Sequence, residues 1–346
     1  MNLFKSKTRR LAAATAIGLV SAAAAQAEDE VVILSLGGNY QANQSEYWFQ
    51  PYAEASGKTV TEAAGYNFAN LRVMIQTGNV EADLVDLSAD SVNALSQEGL
   101  LEPIDWDALP ESCTSGIPAD MKKEYAFPTI QWAMVMAYNT ETYPEGPETW
   151  ADFWDTEAFP GKRGSVGATR PPTEQAAMAM NPDIANLYPF DIDEAFDKIA
   201  ELGDDITFSD GYAQVVQFLA DGEVDMIVIP NGRMVPLIAD GAPVTINWNQ
   251  HLRYPNFFAI PKGAPHKDEA MAFLSWVCEP ETLAKLAEPT NYGPINGDAY
   301  ASIPESVAPL LPGNPATASE GRVADTTWLG EHRQEIAQAW ARMAVR

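Results

Sequence analysis

Short apolar runs alternate with amphipathic segments along most of the chain. The runs "VVILSL" (31–36), "ADLVDLS" (82–88), "WAMVMAYN" (132–139), "EVDMIVIP" (223–230) and "NFFAIPKG" (256–263) have the length and apolar density of buried strands. The segments "QSEYWFQPYAEASG", "FANLRVMIQTG", "DSVNALSQEGL", "DIDEAFDKIAELG", "YAQVVQFLADG" and "KDEAMAFLSWVCEPETLAKLAE" place apolar residues three and four apart. They end at Gly or Pro and read as helices. This alternation predicts an α/β fold with largely parallel sheets. The first run stops at Gly37 and Gly38 just before a helix-like segment. A strand ending there leaves backbone N–H groups bare, and in open α/β sheets solutes sit beyond the carboxyl ends of strands. An ordinary tight turn reads the same way, so the glycines alone mark no site.

The first 27 residues follow another pattern. They open with Lys5, Lys7, Arg9 and Arg10, continue as an Ala-rich apolar run, and end at Ala25-Gln26-Ala27. This predicts a signal peptide cleaved after Ala27, since the apolar run is shorter than the roughly 20 residues that span a bilayer. No Cys follows the cleavage point, so no lipid anchor is expected. Removing this segment takes away four basic residues and no acid, moving the formal charge from −27 to −31. Such a surface repels nucleic acid and anionic membrane and keeps an exported protein soluble. With 346 residues and 46% apolar composition, the chain exceeds one core and predicts two lobes.

Candidate chemistry is sparse. Cys113 and Cys278 are the only cysteines, and an even pair in an oxidising compartment leaves two readings open: one disulfide, or two buried thiols. His251, His266 and His332 show no metal-ligand spacing with them, so neither a metal nor a cofactor is expected. No G-x-S-x-G and no H-E-x-x-H occurs, which makes a secreted hydrolase the distant alternative. No adjacent tyrosine pair is present to hold ferric iron.

An ordered series of motifs carries a resemblance over nearly the whole mature length: "SLGGNYQ", "ADLVDLSADSVNALSQEGLLEPID", "AFPTIQWAMVMAYN", "ETWADFWDTEAFPGKRGSV", "LADGEVDMIVIPNGR", "NFFAIPKGAPHKDEAMAFLSWVCEPE" and "TNYGPIN". In this the chain resembles the periplasmic solute-binding proteins of ATP-driven importers, in the branch of the spermidine/putrescine-binding proteins. The resemblance implies two α/β lobes joined by crossing strands near "MAYN" and "NFFAIP", with a ligand cleft between them. The first lobe would comprise residues 28–137 and 257–315, and the second 138–256 and 316–346. Cys113 and Cys278 then share a lobe, which favours the disulfide. The implied partners are a small solute and a membrane permease, for a monomer that binds and does not catalyse.

Carried over motif by motif, the cleft candidates are Gly38, Asn39, Tyr40, Ser88, Asp90, Thr169, Arg170, Asn231, Arg233, Tyr254, Asn256 and Tyr292. Where polyamine binders carry acids, this chain has Asn39 and Asn256, and Arg170 adds a cation. Polyamine binders hold each ammonium with carboxylates and sandwich the alkyl chain between aromatics. A cleft with Asp90, one or two arginines and several amides suits a zwitterion better: an Arg fork takes the carboxylate, and Asp90 or a Tyr face takes the ammonium. The favoured solute is an ω-amino acid such as γ-aminobutyrate, with a polyamine as the close alternative.

Overall fold

The computed structural model describes residues 29 to 345, so the expected signal peptide lies outside the described residues. The strands are β1 (Glu30–Ser35), β2 (Thr59–Ala64), β3 (Leu84–Ser88), β4 (Leu101–Glu102), β5 (Phe127–Asn139), β6 (Arg163–Val166), β7 (Ile206–Ser209), β8 (Met226–Pro230), β9 (Val244–Pro261), β10 (Gly293–Pro294) and β11 (Arg322–Val323). Eight run side by side in the order β2-β1-β3-β9-β5-β8-β6-β7, and off this path β4 and β11 pair with β9 and β10 pairs with β5. The flanks are parallel: β1 with β2 and β3, and β6 with β7 and β8. The centre is not. β9 is antiparallel to β3, β5 is antiparallel to β8, and β5 and β9 are antiparallel to each other.

That centre explains where periodicity fell short. "WAMVMAYN" lies within a strand of 13 residues, and "NFFAIP" ends one of 18, with Lys262 and Gly263 already in the following turn. The polar stretch "NWNQHLR" inside β9 breaks the apolar run that would have revealed its length. The pairing of β5 with β9 shifts register between Pro128 and Gln131 and again between Met134 and Met136. Such irregularities bend a ladder, and they fall where the two strands pass from one apolar core to another. One core draws on residues 31–130 and 257–311. The others draw on 133–254 with Ala324 and Ala339, from the two faces of the sheet around β8. β11 pairs with β9 at Leu252 and Arg253, making a third passage between the lobes.

Two helical readings are refined. "QSEYWFQPYAEASG" contains a π-helical turn, Ser45–Phe49, before the α-helix Gln50–Ser56. The extra residue lets consecutive Trp48 and Phe49 both be fully buried. "KDEAMAFLSWVCEPETLAKLAE" is a helix Lys267–Val277 followed by Pro280–Ala284 and Ala287–Thr290. Pro280 stands at the start of the second piece, where its missing N–H costs nothing. Cys278, at the end of the first, is bonded to Cys113, with Cα atoms 5.0 Å apart.

Candidate functional site

A cavity of about 460 Å³ opens where the lobes meet. Its first-lobe wall is Ser88, the last residue of β3, and Asp90, in the first turn of the helix Ala89–Gln97. Its floor is the crossing strands, with Trp132, Tyr254, Pro255 and Asn256. The second lobe supplies Thr169, Arg170 and Glu174, and the C-terminal segment supplies Thr326 and Arg333. Strand register brings these together. Ser88 pairs with Asn256, and Trp132 pairs with Tyr254. The Trp132 and Tyr254 rings consequently stack, with centroids 4.3 Å apart and planes 17° apart.

Beneath the first-lobe wall lies Asp86, two residues before Ser88 on the same face of β3 and fully buried. Its Oδ2 accepts from Tyr40 Oη at 2.9 Å and Gln44 Nε2 at 2.8 Å, and its Oδ1 accepts from Asn256 Nδ2 at 2.9 Å. Burial pushes the Asp86 carboxyl up to about 6, although these three neutral donors pull it down. Because Asn256 points its Nδ2 at Asp86, its Oδ1 remains an acceptor on the cavity side, without a protein donor among the described residues. The carboxylate absent at position 256 thus has a buried counterpart one layer below.

On the opposite wall Glu174 is the centre. It is almost fully buried near the start of the helix Thr173–Met180. It accepts from Arg170 Nη2 at 2.9 Å, from Tyr254 Oη at 3.0 Å and from Tyr188 Oη. Arg170 also donates to Tyr254 Oη, and its guanidinium lies 4.6 Å from the centre of that ring. Burial pushes the Tyr254 hydroxyl well above its ordinary pKa, so it stays protonated and able to donate. Tyr254 therefore has its ring stacked and its hydroxyl engaged.

Six of the sequence candidates meet at this cavity: Ser88, Asp90, Thr169, Arg170, Tyr254 and Asn256. The other six stand elsewhere. Gly37 and Gly38 have φ of 79° and 62°, the left-handed backbone that favours glycine. They turn β1 into the helix Gly38–Gln44, leaving Gly38 and Asn39 exposed. Tyr40 and Tyr292 pack together with centroids 5.8 Å apart. Arg233 is exposed, and its charge acts on the Tyr292 hydroxyl, whose pKa burial raises. Asn231 is buried, with every polar side-chain atom on backbone: Oδ1 accepts from Ala133 N at 3.0 Å, and Nδ2 donates to the Asn291 and Leu310 carbonyls at 3.0 and 3.1 Å. It fastens the end of β8 to first-lobe loops.

Sequence reasoning missed Asp86, Trp132, Glu174 and Arg333. Asp86 carried a signal, an acid inside an apolar run leading to Ser88. Glu174 lies four residues after Arg170, the spacing of a helical ion pair. Trp132 lies in an apolar run read as a strand, and Arg333 lies in a segment to which the sequence reading assigned no element. Among the described residues no group of three His, Cys, Asp or Glu side chains is arranged for a metal ion. Nor is any described helix long and apolar enough to cross a membrane.

Residues 47–312 match the family model described as bacterial extracellular solute-binding protein. The gamma-aminobutyric acid-binding protein of Pseudomonas aeruginosa is 32% identical over 339 residues, 94% of each chain. The spermidine/putrescine-binding periplasmic protein of Escherichia coli is 24% identical, covering 88% of each. The solved structure of the Atu4243 GABA receptor superposes with a TM-score of 0.79 at 28% identity, covering 91% of this chain and 97% of that one. A match over most of the length, on two lobes joined by crossing strands around a cleft, makes this chain a member of the bacterial extracellular solute-binding proteins.

Proposed function

We propose that the protein is exported to the periplasm, binds a small zwitterionic amine of the γ-aminobutyrate class, and presents it to the permease of an ATP-driven importer without catalysis. The observation that carries the solute class is the charge balance of the cavity wall, where Asp90 and Glu174 stand against Arg170 and Arg333. A dication buried there would meet two guanidiniums with no surplus of carboxylate, and an uncompensated buried charge is costly. A zwitterion leaves the balance unchanged. The γ-aminobutyric acid-binding relative and the GABA receptor structure support the same class.

Wall residues come from both lobes, so a bound solute gains contacts when the lobes approach and thereby favours the closed form. The polyamine reading has one observation in its favour: Asp86 beneath Asn256 is a further carboxylate close to the cavity. Calorimetric titration of the mature chain with γ-aminobutyrate, longer ω-amino acids, putrescine and spermidine separates the two. An ω-amino acid is expected to bind at least about tenfold tighter than either polyamine, a difference of about 1.4 kcal/mol. The reverse order would overturn the zwitterion reading.

A further inference from the structure

We propose that Arg333, on the C-terminal helix Arg333–Met343, is the residue that selects for the solute's carboxylate, with Asp90 across the cleft taking the ammonium. This assignment rests on the zwitterion reading above and goes beyond it by moving the anion-binding role away from Arg170. Arg170 and Arg333 are the two arginines on the cavity wall. Arg170 is committed to Glu174 and Tyr254. Arg333 is exposed and has neither an ion pair nor a hydrogen bond among the described residues.

Acids outnumber basic residues 48 to 21, yet no described carboxylate is within ion-pair distance of Arg333, whereas Arg170 on the same cavity wall is held by Glu174. Asp90 mirrors Arg333, having no ion pair or hydrogen bond among the described residues. The two also share a place. A second cavity, of about 570 Å³, adjoins the first, and the residues common to both are Asp90, Gly330 and Arg333. The unpaired carboxylate and the unpaired guanidinium thus stand at the junction, one on the first lobe and the other on a helix packed into the second-lobe core through Ala339.

A solute carrying ammonium and carboxylate at opposite ends satisfies both groups and ties one lobe to the other. An amine without a carboxylate leaves Arg333 facing it unpaired. A guanidinium can take a carboxylate bidentately, which fixes orientation as well as charge. Glu331 and Glu335 are close to Arg333 in sequence but make no ion pair with it.

The test compares γ-aminobutyrate with 4-aminobutan-1-ol, which keeps the ammonium and chain length but lacks the carboxylate. Both are titrated calorimetrically into the wild type, Arg333→Gln, Arg333→Lys and Arg170→Gln. Arg333→Gln is expected to weaken γ-aminobutyrate tenfold or more, to leave the amino alcohol within about threefold, and to melt like the wild type. Arg333→Lys should recover part of the loss, since a point charge remains. Unchanged γ-aminobutyrate binding by Arg333→Gln would overturn the assignment, as would an equal loss for both ligands, which marks a structural role. If the wild type binds no γ-aminobutyrate, the zwitterion reading fails and this assignment falls with it.

Discussion

Asn256 Nδ2 donates to Asp86 Oδ1 at 2.9 Å across two neighbouring strands, so an amide at the cavity surface is oriented by an acid that never reaches it. Every side chain that donates to Asp86 is neutral, and burial pushes its carboxyl up to about 6. A carboxyl whose pKa is higher folded than unfolded stabilises the fold when protonated, and that contribution is lost as pH rises through the folded value. Asp86 therefore opposes the usual trend of paired acids. The stability of the wild type minus that of Asp86→Asn should fall by about 2–3 kcal/mol between pH 4 and pH 7. Urea unfolding of both proteins across that range checks it, and a flat difference would refute it.

The Arg170–Glu174 pair should behave as a coupled unit. Arg170→Met strands a nearly buried carboxylate and is expected to cost about 1.5–3 kcal/mol of stability. Adding Glu174→Gln should restore more than half of that. A double-mutant cycle from thermal unfolding reads the coupling, and strictly additive effects would show that the two side chains act independently.

Asn231 is expected to contribute to stability rather than to solute contact. Asn231→Ala leaves the Ala133 N–H and two carbonyls without their partner and should cost about 2–4 kcal/mol. The affinity of the folded fraction for solute should stay within about threefold. Calorimetry after a melting curve measures both, and a stable variant that cannot bind would reverse the assignment.

The Cys113–Cys278 bond joins residues 165 apart in sequence, so it removes much chain freedom from the unfolded state. The double variant Cys113→Ala, Cys278→Ala should lose about 2–5 kcal/mol. Denaturant midpoints of the oxidised wild type and of the variant test this. Equal midpoints would mean that the bond constrains nothing the fold does not already fix.

The α/β class, the ends of five strands and six of the residues that line the cavity were legible in the sequence, because periodicity and local motifs report burial and turns. Ser88, Asp90 and Arg170 lie beside such signals. The antiparallel centre was not legible: β9 crosses the hinge through polar residues whose partners are far away in sequence. Asp86 and Glu174 were missed for a related reason, since only the folded register shows which neighbours surround a buried acid. Asn231 also lies in a matching motif, but its side chain is held by the Ala133 N–H and two backbone carbonyls, partners that only the folded chain brings to it.

The three passages between the lobes carry a consequence for how the chain acquires its shape. The first core is incomplete until residues near 311 exist, and the second needs Ala324 and Ala339 from the last stretch. Neither core is complete without residues that lie far apart in the chain. Both depend on pairings of high contact order, which form slowly because long loops must close first. Completion of the second core and shaping of the cleft are therefore coupled: the segment that supplies Ala324 and Ala339 to that core also supplies Thr326 and Arg333 to the cavity wall.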